Sequence, residues 1–385
     1  MNRQQQVIDM ELSAELAELQ ASTRRFAQEE IRPQAAALDR QQRFPKELVQ
    51  RAAALGLLKM TVPLEHGGTD RGSLATCVVL EEINAACAST GVTISVHNSL
   101  FCAPLAKWGT AEQQAHYFPK MVEGEWLGAY CLSEAASGSD AAGLQCRASR
   151  DGDHWVLNGP KLWITTGSEA AVFIVFARTG ADRVKGISAF LVERSYPGVG
   201  VGKKERKLGI RASPTTEILL EDVRVPASNM LGEEGRGFTV ALDTLDGGRL
   251  GIAAQGLGLA RAAIELIRDH LAGQVDAKGR STASQAAQWT LADLAAELDA
   301  YRFLTWRAAI MRDRGESVAP QSAMAKLCAS RLANRAARAA VSILGLDGAS
   351  GASDAERLLR DARITEIYEG ATDIQRLVIA RSVLA

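Results

Sequence analysis

Near the end of the chain, Tyr368, Glu369 and Gly370 interrupt a run of apolar residues at helical spacing, with Ile364 and Ile367 before them and Ile374, Leu377 and Val378 after. Glu369 therefore falls at a joint between two helices. Gly370 can take backbone geometry that other residues resist, so the carboxylate can be aimed out of the packing as a general base. Alone, a Glu-Gly pair is more often an exposed polar turn. Three further groups could take part in chemistry. The segment YCLSEAASGSDAAG, Tyr130 to Gly143, starts as a strand and ends in small residues. Its main-chain N–H groups and the hydroxyls of Ser133, Ser137 and Ser139 can approach a phosphate or a ring carbonyl, although Ser/Gly loops are often ordinary turns. Trp163 and Thr165 stand two apart and share one strand face, as a core Trp beside a β-favouring Thr would also do. Asp246 and Arg249 stand three apart on one helical face, the spacing of a common intrahelical ion pair.

The elements that must position these residues change character twice along the chain. Residues 1–125 read as helical, with Leu12, Leu16, Leu19, Phe26 and Ile31 at three- and four-residue steps and prolines at 33, 45, 63 and 104 as punctuation. FPKELVQRAAALGLL reads as a helix with Pro at its start and Gly56 near its end. Residues 126–235 hold short β-branched or aromatic runs separated by Gly, Asn, Asp and Pro, which predicts a sheet or barrel of roughly seven strands. NMLGEEGRGF reads as a loop returning to helix. Residues 236–385 predict an antiparallel bundle of long helices, about 238–271, 284–313 and 320–345, with a last pair around Glu369. The fold class is thus multidomain: an N-terminal helical domain, a middle β domain and a C-terminal helix bundle. The wide apolar faces of the last helices predict an oligomer.

A chain of 385 residues exceeds one ordinary core, and 47% apolar against 23% charged residues predicts a globular rather than a disordered chain. Lys plus Arg 44 against Asp plus Glu 45 leaves a net charge of −1, so no global field attracts nucleic acid or an anionic membrane. The six cysteines have no CxxC spacing and no clustered His, which argues against a metal site or a disulfide framework. MNRQQQVIDMELSAEL has the character of neither a secretion signal nor a transit peptide, and no segment reads as a membrane span, so a cytoplasmic location is expected.

ITEIYEGATDIQRLVIAR resembles the C-terminal signature of the acyl-CoA dehydrogenases, and the resemblance continues through most of the chain. It implies that Glu369 removes the α-proton of an acyl thioester while the β-hydrogen leaves as hydride to FAD, giving a trans-2-enoyl thioester. It further implies flavin contacts at Tyr130, Leu132, Ser133, Gly138, Ser139, Trp163, Ile164 and Thr165, with Gln285, Thr372 and Asp373 also serving the cofactor. Ser139, Asp246, Arg249 and Gly370 would serve the thioester substrate. Position 247 is Gly, whereas one branch of the family carries its catalytic Glu on this helix, so the base role returns to Glu369. The implied partners are a short or branched acyl-CoA, or an acyl-carrier-protein thioester, an electron-transferring flavoprotein, and further copies in a homotetramer.

The pattern breaks in one coherent place. Where the family carries an Arg-x-x-Phe-Gly that grips the ADP half of a neighbour's FAD, counting back from Gln285 gives Gln274, Ala277 and Lys278. Ser342 and Leu346 replace a usual Gln and Gly, and Ala371 replaces a Thr. Lys278 or Arg280 could instead meet the pyrophosphate as a point charge. FAD is expected to bind through its ring end with a rearranged or weaker adenine pocket; a flavin-poor acyl-thioester binding protein or non-redox catalyst on the same fold is the alternative.

Overall fold

Helix signals at the start of the chain are honoured by side chains. Ser13 accepts from Leu16 N to cap α1 (Ala14–Phe26), and a π-helical turn, Ala27–Ile31, joins it to α2 (Arg32–Gln41). Pro45 opens α3 (Lys46–Ala54), and Gly56, at φ +76°, turns the chain away after it. Next come α4 (Gly72–Ala86), α5 (Ala88–Ser95), a second π-helical stretch Val96–Cys102, and α6 (Ala103–Trp108). Thr110 and Gln113 form a capping box at the start of α7 (Ala111–Val122). This computed structural model describes residues 12–385, so most of the amino-terminal stretch read above for targeting signals lies outside the described residues.

The strands are β1 (Gly128–Cys131), β2 (Arg147–Asp151), β3 (His154–Thr165), β4 (Val172–Arg178), β5 (Ile187–Glu193), β6 (Val199–Lys204), β7 (Thr215–Pro226) and β8 (Met230–Leu231). They form one sheet in the order β6-β7-β3-β2-β4-β5-β8, with β1 parallel to β4. The loop expected at NMLGEEGRGF contains β8, because Met230 and Leu231 pair with Phe190 and Ala189. Side chains of β4 alternate between two cores: Val172, Ile174 and Phe176 pack with Phe101 and Phe118 of the helical region, and Phe173 and Val175 with Phe190 and Trp155 of the sheet. That central strand is apolar on both faces, so it locks the sheet against the helices.

The chain then returns to helix: α8 (Gly237–Ala272), α9 (Gln285–Asp313), α10 (Ala319–Leu344), short α11 (Leu346–Ala349), α12 (Ala355–Ala362), a 3-10 turn Arg363–Glu366, and α13 (Thr372–Leu384). The expectation that no segment suits a membrane needs correction for α8, which is long and apolar enough by length and composition to cross one. Most of it is buried inside the protein, between α4 and α10, so its apolarity serves the core.

Candidate active site

A cavity of about 260 Å³ opens where the sheet meets α8 and the turn before α13. Tyr130, Leu132 and Ser133 enter it from the end of β1, and Gly138 and Ser139 from the small-residue loop. That segment is held by a buried ion pair. Glu134 accepts from Lys161 Nζ at 2.7 Å, Gln145 N at 2.6 Å and Cys146 N at 3.0 Å, and Lys161 also donates to Leu132 O at 3.3 Å. A Cβ at Gly138 would meet no atom within 4 Å, so the loop borders open space.

Trp163, Ile164 and Thr165 all line the cavity. A regular strand could not present three successive side chains to one side, and the expected simple alternation does not hold here. The β3–β7 register shifts between Lys161 and Ile164, and Trp163 sits at φ +59°. The bulge leaves the indole 53% exposed at the cavity wall while Ile164 is buried. An open indole, the hydroxyls of Ser133 and Thr165 and a loop of small residues together fit a flat ring with polar edges, the isoalloxazine of a flavin.

Glu369 and Gly370 form the opposite side. The unusual backbone geometry expected of Gly370 extends to the glutamate itself: φ is +51° at Glu369 and +92° at Gly370. The residue is half-buried as a whole, but Oε2 is buried without a hydrogen-bond partner. Burial pushes its carboxyl up to about 7, against the opposing pull of Lys326 and Arg249. Burial, and after it Glu369, holds the hydroxyls of Tyr130 and Tyr368 well above the usual tyrosine range. An unpaired carboxylate at this pKa beside an apolar wall can act as a base near neutral pH.

Arg249 lines the cavity, whereas Asp246 does not; it accepts from Arg249 Nη1 at 2.6 Å and so orients it. The buried Arg249 Nε has no partner. The glycine that faces Glu369 is Gly248, one residue beyond the position singled out from the sequence. A Cβ at Gly248 would collide with Glu369 Oε2, whereas a Cβ at Gly247 would meet Arg312.

Three expected cofactor residues are not brought to this cavity. Thr372 donates its hydroxyl to Glu366 O at 3.2 Å, and Asp373 pairs with Arg376 on the surface, because both belong to the outward first turn of α13. Gln285 lies exposed at the start of α9. Gln274 and Ser342 instead line a separate shallow cavity with Thr282, Ser284 and Thr290. Arg280 is occupied by Asp276 at 2.7 Å, so its charge is partly spent within the 274–282 turn. Leu346 begins α11 with 82% of its surface exposed.

From the second π-helical stretch, Val96 and Leu100 also line the cavity. His97 is buried, with Nε2 3.5 Å from Cys102 Sγ, and burial lowers it to about 4, consistent with a structural histidine. Phe238, Leu242 and Leu245 were missed, as were Tyr368 and Ile374. Their signal was present in part: 238, 242, 245 and 249 recur at helical steps along α8, a stripe ending on Arg249.

The sequence matches the acyl-CoA dehydrogenase N-terminal domain over residues 13–125, the middle domain over 129–223 and the C-terminal domain over 235–384. It is 47% identical to the mouse mitochondrial short-chain specific acyl-CoA dehydrogenase over 95% of this chain and 89% of that protein. It is 39% identical to the short-chain specific acyl-CoA dehydrogenase of Clostridium acetobutylicum over 98% and 100%. Among solved structures, butyryl-CoA dehydrogenase from Megasphaera elsdenii superposes with a TM-score of 0.95 at 36% identity, covering 98% of this chain and 100% of the other. A chain from work on the electron transferring flavoprotein of Acidaminococcus fermentans superposes at 0.94 with 36% identity, covering 98% and 100%. With three family models matching consecutive stretches of the chain and relatives 39–47% identical over nearly its whole length, this chain belongs to the acyl-CoA dehydrogenase family.

Proposed function

We propose that this protein is an FAD-dependent dehydrogenase of short-chain acyl-CoA thioesters, forming the trans-2-enoyl thioester with Glu369 as the base. One observation carries the reading: a buried, unpartnered carboxylate oxygen raised to about 7 shares one cavity with an open indole and the Ser133 and Thr165 hydroxyls. FAD, when bound, supplies the acceptor for the β-hydrogen as hydride. Glu369 takes the α-proton on its free carboxylate oxygen, and main-chain N–H groups of the Glu369–Gly370 turn are available to the thioester oxygen as negative charge develops there. Val96, Leu100, Leu245 and Ile374 give the cavity an apolar wall that keeps water from the reacting bond.

Trp163, Thr165, Ser133 and Tyr130 would hold the ring end of the cofactor. At the adenine end, Gln274 stands where an arginine is usual, and one charge-assisted hydrogen bond fewer costs about 1.5–3 kcal/mol. FAD therefore binds mainly through its ring end, with lowered affinity; flavin per protomer after gentle purification, followed by FAD titration, checks this. An electron-transferring flavoprotein as acceptor and a homotetrameric assembly complete the proposal, the latter supported by exposed Trp289 and Leu346 on the helical region.

The deciding experiment is anaerobic bleaching of the flavin by a panel of acyl-CoAs, repeated with Glu369→Gln. Bleaching by short acyl-CoAs in the wild type alone is expected. An enzyme that no acyl-CoA bleaches, or a Gln variant reduced at the wild-type rate, would overturn it.

A further inference from the structure

Three side chains of α10 stand at four-residue steps, Lys326, Ser330 and Asn334, and each donates to a different main-chain carbonyl of the segment carrying Glu369. Asn334 Nδ2 reaches Ala362 O at 3.0 Å, Ser330 Oγ reaches Thr365 O at 2.9 Å, and Lys326 Nζ reaches Gly370 O at 2.5 Å. Between Ala362 and Ala371 the chain passes from helix through a 3-10 turn into irregular backbone, so its carbonyls lack the regular helical donors and need partners from elsewhere. The ladder supplies them.

Two rungs are neutral, as carbonyl satisfaction requires. The third is an ammonium only 1% exposed, an expensive donor for a task a hydroxyl or amide could do. Gly370 O already accepts from Gln375 Nε2 at 2.7 Å. Ala362 O also takes two donors, Asn334 Nδ2 and Thr365 Oγ1, but both are neutral, whereas one donor to Gly370 O carries a charge. What distinguishes this rung is its position at two consecutive residues of positive φ. A non-glycine residue in the left-handed region is strained and persists only where its surroundings over-determine it.

Resting on the function proposed above, we infer that Lys326 is a positioning residue of the reaction, its buried ammonium holding the strained Glu369–Gly370 turn so that the carboxylate faces the cavity. Its hydrogen bond goes to the Gly370 carbonyl, which leaves Glu369 Oε2 free to take a proton. Its charge has a second effect. Burial lowers Lys326 to about 8, with Glu369 as the largest opposing influence, so the ammonium persists at neutral pH and favours the ionised base. The charged groups around this pair are Arg249 from α8 and Glu366 from the 3-10 turn, and the neutral hydroxyls of Tyr130 and Tyr368 complete the surroundings.

The test compares wild type, Lys326→Met, Lys326→Gln and Ser330→Ala as flavin-loaded proteins. With saturating butyryl-CoA, the rate of flavin reduction in both Lys326 variants is expected to fall roughly 10- to 100-fold, the scale of an ångström-level misplacement, with little change in acyl-CoA affinity. The pH limb of the reduction rate should move up by about one unit, because a neighbouring cation has been removed. Ser330→Ala should slow reduction without moving that limb. Infrared titration of the Glu369 carboxyl, isolated by difference against Glu369→Gln, should show the same upward move without turnover. An unchanged reduction rate, or an unmoved carboxyl titration, in Lys326→Met overturns the inference. So does failure of both Lys326 variants to fold, since the ammonium would then serve stability alone. If no acyl-CoA reduces the wild-type flavin, the proposed function fails, and the infrared titration still decides the role of Lys326.

Discussion

Glu369 is an acid whose charged form is disfavoured by its surroundings, and that has two consequences at the scale of the residue. Activity that needs the ionised base should rise with pH through about 7 in kcat/KM and level off above it; a profile flat from pH 5 to 9 would contradict this. Stability should run the other way. The folded carboxyl titrates near 7 and the unfolded one near 4.5, so between those values the unfolded chain has released a proton that the folded chain retains, and stability falls as pH rises. Glu369→Gln removes the term. Denaturant unfolding should show the Gln variant more stable than wild type by about 3 kcal/mol at pH 8, with little difference at pH 4.

At the scale of elements, the site depends on how closely α8 approaches the turn before α13 and on how the loop after β1 is anchored. Gly248→Ala places a methyl where Glu369 Oε2 now lies. Since α8 is packed along both sides, the carboxylate must move instead of the helix, and the reduction rate should drop by about 100-fold while far-ultraviolet dichroism stays unchanged. Lys161→Met leaves Glu134 charged, nearly buried and without its cation. Breaking a buried pair from one side costs about 3–5 kcal/mol, so this variant should lose stability and release flavin together, measured by urea unfolding and cofactor content.

At the scale of the molecule, a network built on the buried Glu81 and Glu82 ties the helical regions together. Arg261 and Arg24 both reach Glu82 at 2.7 Å, and Arg302 reaches Glu81 at 2.8 Å, linking α1, α4, α8 and α9. On the outside, Trp289 and Leu346 remain 62% and 82% exposed. Large apolar side chains left open on helical faces fit contacts between subunits. Light scattering is expected to give a mass near four protomers, with Trp289→Asp shifting it to smaller species; a monomeric wild type would refute the assembly.

Helix, sheet and helix followed one another as local periodicity and turn residues required, because those signals need only neighbours along the chain: Pro45, Gly56 and the Thr110 capping box act within a few residues of themselves. Glu369 could be singled out as the candidate base for a similar reason, since it lies in a distinctive string beside a glycine. The positive φ at Trp163, the collision that makes position 248 a glycine, and Lys326 beneath Gly370 were not legible. Each depends on atoms brought together from segments 40 to more than 100 residues apart in sequence or on a register shift between paired strands, and such distances exist only after α8, α10 and the sheet have packed. The amino-acid order decided which groups are available for chemistry; the packing decided which of them face the same cavity and in what state of charge.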